Sequence, residues 1–163
     1  MEFLIALLIF GNVTTTDFDQ SHQNNIQTQE AKQTNPVKEG QLLTLERTPC
    51  FGMCPTYKYT IFSTGRVIYT GTKNIDNIGT YSIQLSQTQL NEIKAQINSK
   101  NISLKNKYDS NITDIPSTLL IINLDGKKKK IYDRHGAPKE LKEFEKFVDD
   151  MVLNSKMTKI QDK

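Results

Sequence analysis

Tryptophan is missing from this chain of 163 residues, and cysteine and histidine occur only twice each. Those shortages exclude a good deal. A structural zinc site needs four ligands. Cys50 and Cys54 supply two, but His22 lies in a polar low-complexity stretch far from His135, so closing a Cys2His2 site is unfavourable. No metal and no cofactor are expected. The sequence carries no phosphate-binding loop, no dinucleotide fingerprint, no metalloprotease helix and no G-x-S-x-G elbow. The apolar opening, residues 1–11, is too short for a membrane span, which needs ~20 residues. No transmembrane segment is expected.

Apolar residues make up only 36% of the chain, and the deficit is concentrated in residues 12–40, which are dominated by Asn, Gln, Thr, Ser and charged side chains. Such a stretch cannot bury enough apolar surface to offset its ordering entropy, so it reads as a flexible tether. The run before it resembles the hydrophobic region of a secretory signal. No Lys or Arg precedes that run, Glu2 is acidic, and no lipobox cysteine follows. The favoured localisation is periplasmic or secreted, with a cytoplasmic one as the alternative. One domain is expected over residues 41–153, followed by a short basic tail at 154–163. Residues 41–163 hold nineteen Lys or Arg against thirteen Asp or Glu, a net of +6, and the first forty contribute −3. A modestly basic domain tolerates anionic partners without demanding them.

The densest information lies in Arg47-Thr48-Pro49-Cys50-Phe51-Gly52-Met53-Cys54-Pro55-Thr56-Tyr57. In an extended chain the two cysteine Cα atoms would be ~13 Å apart, and a disulfide needs them within ~7 Å. The segment must therefore turn if the bond exists. Pro55 biases Cys54 away from helix, and Gly52 is free to make the turn. Three readings stand. A structural disulfide is favoured. A redox-active pair is the second, at a spacing one residue longer than Cys-x-x-Cys. A metal site, which two thiolates do not complete, is the third.

This run, followed by a glycine-containing hairpin, resembles the DUF6438 family of small bacterial domains, many of whose members are exported or lipid-anchored. Thr113-Asp114-Ile115-Pro116 and Gly136-Ala137-Pro138 also look like that family's landmarks. The resemblance covers about residues 41–153. It implies a fold and no assigned activity.

Alternation predicts strands at residues 42–47, 57–62, 66–70 and 81–85, with Ser63-Thr64-Gly65 as a hairpin loop. Ser86 and Gln89 form a capping-box signal for a helix over 87–98. Residues 101–116 look irregular. A β-branched strand at 117–124, an Asp125-Gly126 type I′ turn and a return strand at 127–133 follow. Pro138 suits the first turn of a final helix striped by Leu141, Phe144, Phe147, Val148 and Met151. The fold class is therefore α+β, an antiparallel sheet in the order β-β-β-β-α-β-β-α with both helices on one face.

Lys127 to Lys130 invite a nucleic-acid reading, but alternate residues of a strand face opposite ways and no aromatic side chains interleave on it. Nucleic acid is not the expected partner. His135 sits in a turn, where it caps or solvates a connection more readily than it catalyses. Asp149 and Asp150 read as solvated helix charges. Asp114 reads first as a turn former, and a bidentate pair with Arg47 is the alternative that only the fold can decide.

The function that fits is a non-enzymatic, extracytoplasmic module that binds a protein, peptide or envelope component. Its expected surface is Arg47, Phe51, Met53, Tyr57 and Asp114 around the Cys50/Cys54 loop. A thiol–disulfide redox protein using that pair is the alternative.

Overall fold

The computed structural model describes residues 39–99 and 104–160. The apolar opening at 1–11 and the polar stretch from 12 to 38 lie outside the described residues. Eight strands and two helices follow in chain order: β1 (Gln41–Arg47), β2 (Thr56–Phe62), β3 (Arg66–Lys73), β4 (Gly79–Gln84), α1 (Gln87–Ser99), β5 (Lys107–Tyr108), β6 (Thr118–Leu124), β7 (Lys127–Asp133), α2 (Lys139–Leu153) and β8 (Thr158–Lys159). The strands form one sheet in the spatial order β5-β7-β6-β1-β2-β3-β4-β8.

The α+β class stands, but the expected sheet and order are corrected. The sheet is mixed, because β5 runs parallel to β7. The sequence of elements also contains β5 and β8, which the expected order β-β-β-β-α-β-β-α omitted. A two-residue strand has no alternation to read. Each forms only because a neighbour supplies its backbone partners: Tyr132 and Arg134 donate to the Asn106 and Tyr108 carbonyls at 2.9 and 2.8 Å, and Ile160 donates to the Thr80 carbonyl at 2.9 Å.

Local chemistry accounts for the rest. Ser86 Oγ accepts the Gln89 N–H at 3.2 Å, and Gln89 Oε1 accepts the Ser86 N–H at 2.9 Å, so the capping box starts α1. Asp125 and Gly126 both have positive φ, 50° and 75°, as a type I′ turn requires. Pro138 stands at the N-cap of α2 in an extended conformation, one position earlier than the first turn. Gly71 allows a close crossing: a Cβ there would lie 2.1 Å from the Asn77 carbonyl oxygen and 2.9 Å from the Tyr69 hydroxyl.

The register arranges side chains in rows, because residues directly opposite in a ladder share a face. One row runs Ile131, Leu120, Leu45, Tyr59, Tyr69, Tyr81, and the next runs Lys129, Ile122, Leu43, Ile61, Val67, Ile83. A third row runs Asp133, Thr118, Arg47, Tyr57, Gly71, Gly79. The first two rows are mostly apolar and buried, and the third is polar. Both helices lie on this face: Asp149 of α2 reaches Tyr59, and Ile97 of α1 lines the same depression as Ile122. Leu90, Ile93 and Ile97 of α1 and Leu141, Phe144, Val148 and Val152 of α2 join the strands in one core. The opposite face carries Thr44, Thr60, Ile68 and Ser82 in one row and Glu46, Lys58, Thr70 and Thr80 in another.

Phe144 is 2% exposed at the centre of this core. Its replacement by Ala is expected to lower stability by roughly 3–5 kcal/mol in denaturant titration. A loss below ~0.5 kcal/mol, as at surface sites, would place it on the wrong face.

Candidate functional site

The connections at one end of the sheet converge on the polar row. β1 leaves that row at Arg47 and enters the cysteine loop, residues 48–55. The loop returns into β2, and its base is stitched to the start of β6: the Thr48 N–H donates to the Ser117 carbonyl at 2.9 Å, and the Ser117 N–H donates to Thr48 Oγ1 at 2.8 Å. Asn74 Nδ2 donates to the Cys54 carbonyl at 3.2 Å from the neighbouring connection. Cys50 and Cys54 are disulfide-bonded, with Cα atoms 5.7 Å apart. The Gly52 N–H donates to Cys50 Sγ at 3.2 Å inside the ring.

The bond leaves the two apolar residues of the ring facing outwards. Phe51 is 88% exposed and Met53 is 86% exposed. Arg47 and Tyr57, which flank the loop, turn the other way. Tyr57 is buried and stacked on Tyr59 and Tyr69, with ring centroids 6.2 and 5.9 Å away. Burial, and the Asp149 carboxylate nearby, push its phenol pKa well above the ordinary value. Asp114 is exposed in the connection before β6, where its Oδ1 accepts the Thr113 hydroxyl at 2.8 Å. The structure therefore separates the five expected surface residues: Phe51, Met53 and Asp114 lie outside, and Arg47 and Tyr57 lie under α2.

Arg47 finds its carboxylates on α2. Its Nε and Nη2 donate to Asp149 Oδ2 at 3.1 and 2.5 Å, and Nη1 donates to Glu145 Oε2 at 3.0 Å and to Thr118 Oγ1. Tyr59 OH donates to Asp149 Oδ1 at 2.9 Å. Lys142 pairs with Asp133 at the end of β7. The reading of Asp149 as a solvated charge is thereby corrected, since it is 8% exposed and bonded on both oxygens. Asp150 does sit in solvent, paired with Lys146 at 2.5 Å. The signal lay in the helix itself. Glu145 and Asp149 follow Leu141 by four and eight residues, which places two carboxylates in the stripe that faces the sheet.

The electrostatics follow from burial. Taking the Arg47 guanidinium out of water works against its charge, but Asp149 and Glu145 more than offset this and raise its pKa. Glu145 is pushed up to about 7, first by burial and further by Asp133, although Arg47 and Lys142 oppose the shift. Its Oε1 has no hydrogen-bond partner among the described residues.

No group of three or more His, Cys, Asp or Glu side chains that could hold a metal occurs among the described residues. His135 is exposed between β7 and α2. Of the four lysines of β7, Lys127 and Lys129 share a face with Leu124 and Ile122, and Lys128 and Lys130 share the other with Asn123 and Ile121. A shallow depression of about 300 Å³ lies beside the cysteine loop, lined by Glu46, Arg47, Pro49, Thr56, Tyr57, Lys58, Thr70 and Thr72.

The family-model comparison matches residues 41–152 to DUF6438, a domain of unknown function. The chain belongs to that family. Comparison with the curated proteins and with the solved structures found no match. In this DUF6438 domain the matched segment starts with β1 and ends in the last turn of α2, so it contains the cysteine loop and every member of the Arg47 cluster. The strand β8 lies beyond it.

Two consequences are measurable. Arg47→Met leaves Glu145 and Asp149 buried without their cation, and is expected to cost roughly 3–5 kcal/mol. Replacing all three residues with apolar ones of similar size should recover much of that loss in the same denaturant assay. The second concerns pH. Because Glu145 binds its proton more tightly in the folded state, its charge costs nothing below the ordinary carboxylate value of 4.5 and costs most above about 7. Stability is therefore expected to fall across that window relative to Glu145→Gln, by an amount on the order of 1–3 kcal/mol. Parallel pH curves for the two proteins would contradict the assignment.

Proposed function

We propose that this domain is a non-enzymatic binding module that works outside the reducing cytoplasm, in a periplasmic or secreted setting, with the cysteine loop as its contact surface. The observation that carries the reading is the outward placement of Phe51 and Met53 on a ring closed by the Cys50–Cys54 bond. Exposed apolar side chains cost solvation when free and favour association when covered. A ring that is already closed loses little conformational freedom on contact. A disulfide persists in oxidising compartments, which supports the setting. Arg47 and Tyr57 contribute from below, by holding the base of the loop against the sheet. The expected partner is a protein, peptide or envelope component.

A photo-crosslinking residue placed at position 51 is expected to label a partner in cells that export the protein. The same residue at Thr64, in the hairpin at the other end of the sheet, is expected to remain unlabelled. Equal labelling at both positions, or none at position 51, would overturn the reading. The same cells test the redox alternative. A structural bond should stay oxidised in a glutathione buffer, whereas a redox centre should open and expose an alkylatable sulfur. Replacing both cysteines with serine should lower stability by ~2 kcal/mol, the loop-closure contribution, and keep the fold.

A further inference from the structure

The exposed large hydrophobic side chains of the described residues are Phe51, Met53, Ile78, Ile112 and Ile160. They come from four separate parts of the chain, yet the topology brings all of them to one end of the sheet. Phe51 and Met53 sit between the end of β1 and the start of β2. Ile78 sits between the end of β3 and the start of β4. Ile112 lies between β5 and the start of β6, and Ile160 follows β8 opposite the start of β4, where its N–H bonds the Thr80 carbonyl. The other end carries the hairpins at residues 63–65 and 125–126, built from Ser, Thr, Gly and Asp, and the polar start of α1.

At ~4.8 Å per strand, eight strands set these tips along a crest ~34 Å long. Lys73, Lys139 and Lys159 are exposed at the same end, with Asp76, Asp109, Asp114 and Glu140 among them, and Lys139 is paired with Glu143 at 3.3 Å, so the charges there are mixed in sign. A protein partner normally needs a continuous patch of ~800 Å² with a packed apolar centre. Separate apolar tips with polar gaps do not make such a patch. They suit a partner that flows around each of them. Lipid does so: an apolar side chain enters the boundary between headgroups and acyl chains.

We propose that this end of the sheet docks on a phospholipid surface, with Phe51 and Met53 inserted and the isoleucines resting at the interface. This rests on the cysteine loop being the contact surface and adds what it contacts. The disulfide keeps the two inserted side chains on one closed ring, where they are the most exposed of the five.

The absence of tryptophan makes the test direct. In the full chain, Phe51→Trp gives a single fluorophore at the crest and Thr64→Trp gives one at the opposite end. Vesicles of phosphatidylcholine with phosphatidylglycerol as the minority lipid should shift the first emission to the blue, and brominated lipid should quench it. Thr64→Trp should show neither effect. Phe51→Ser with Met53→Ser should weaken vesicle cosedimentation by at least roughly tenfold. A Trp at position 51 that stays water-exposed, equal quenching at position 64, or unchanged sedimentation of the double serine variant would each overturn the proposal. If position 51 still cross-links to a protein in cells, the lipid assignment alone falls. If it labels nothing, the loop is not the contact surface and both readings fall.

Discussion

The guanidinium of Arg47 is the point on which the helical layer is keyed to the sheet. Arg47 ends β1, a strand with sheet neighbours on both sides, and its side chain is 23% exposed beneath α2. It meets Glu145 and Asp149 from a sequence distance of about a hundred residues. Charges so placed have few alternatives. A guanidinium fork needs its carboxylates in one plane at one spacing, so α2 cannot slide or rotate by one turn without stranding three charges. An apolar interface tolerates such slippage more readily. We regard this cluster as a device for register more than for net stability, since buried ion pairs contribute little beyond well-packed apolar replacements.

The geometry explains why one helix can serve several strands. Lys142, Glu145 and Asp149 are spaced three and four residues apart, and successive turns of a helix advance ~5.4 Å. Strands lie ~4.8 Å apart. Successive turns of α2 therefore meet successive strands: Lys142 at Asp133 of β7, Glu145 at Thr118 of β6, and Asp149 at Arg47 of β1 and Tyr59 of β2. The polar row ends the core on the side where the connections emerge. Below it lie the two mostly apolar rows, and above it lies the cysteine loop. The loop stands on a base fixed from beneath by charge and from the side by Thr48 and Ser117. That base lets exposed Phe51 and Met53 be held out in water without collapsing onto the core.

Much of the fold was legible because its signals are local. The two hairpins, the capping box at Ser86 and Gln89, and the strand alternations each depend on residues within a few positions of one another. Leu43, Leu45, Tyr57, Tyr59 and Ile61 fell on the faces that alternation assigns. The missed strands β5 and β8 are two residues long and owe their existence to neighbours that are distant in the chain. Asp149 was misread for a related reason. Beside Asp150 it looks like a solvated pair, and only its place four residues after Glu145 and eight after Leu141 marks it as inward.

The sequence by itself determined the α+β class, the family, the turn that closing the cysteine pair would require, and most of the apolar faces, although on α2 Val152 is buried where Phe147 and Met151 were expected and are only partly so. These depend on periodicity, turn chemistry and a dense local motif. Only the tertiary structure decided that Arg47 turns inward to α2 and that Asp114 stays in solvent. It also decided that five apolar side chains from four parts of the chain gather at one end of the sheet. Those outcomes are set by strand order and register, which join residues through backbone hydrogen bonds and leave no trace in the spacing of the residues they bring together.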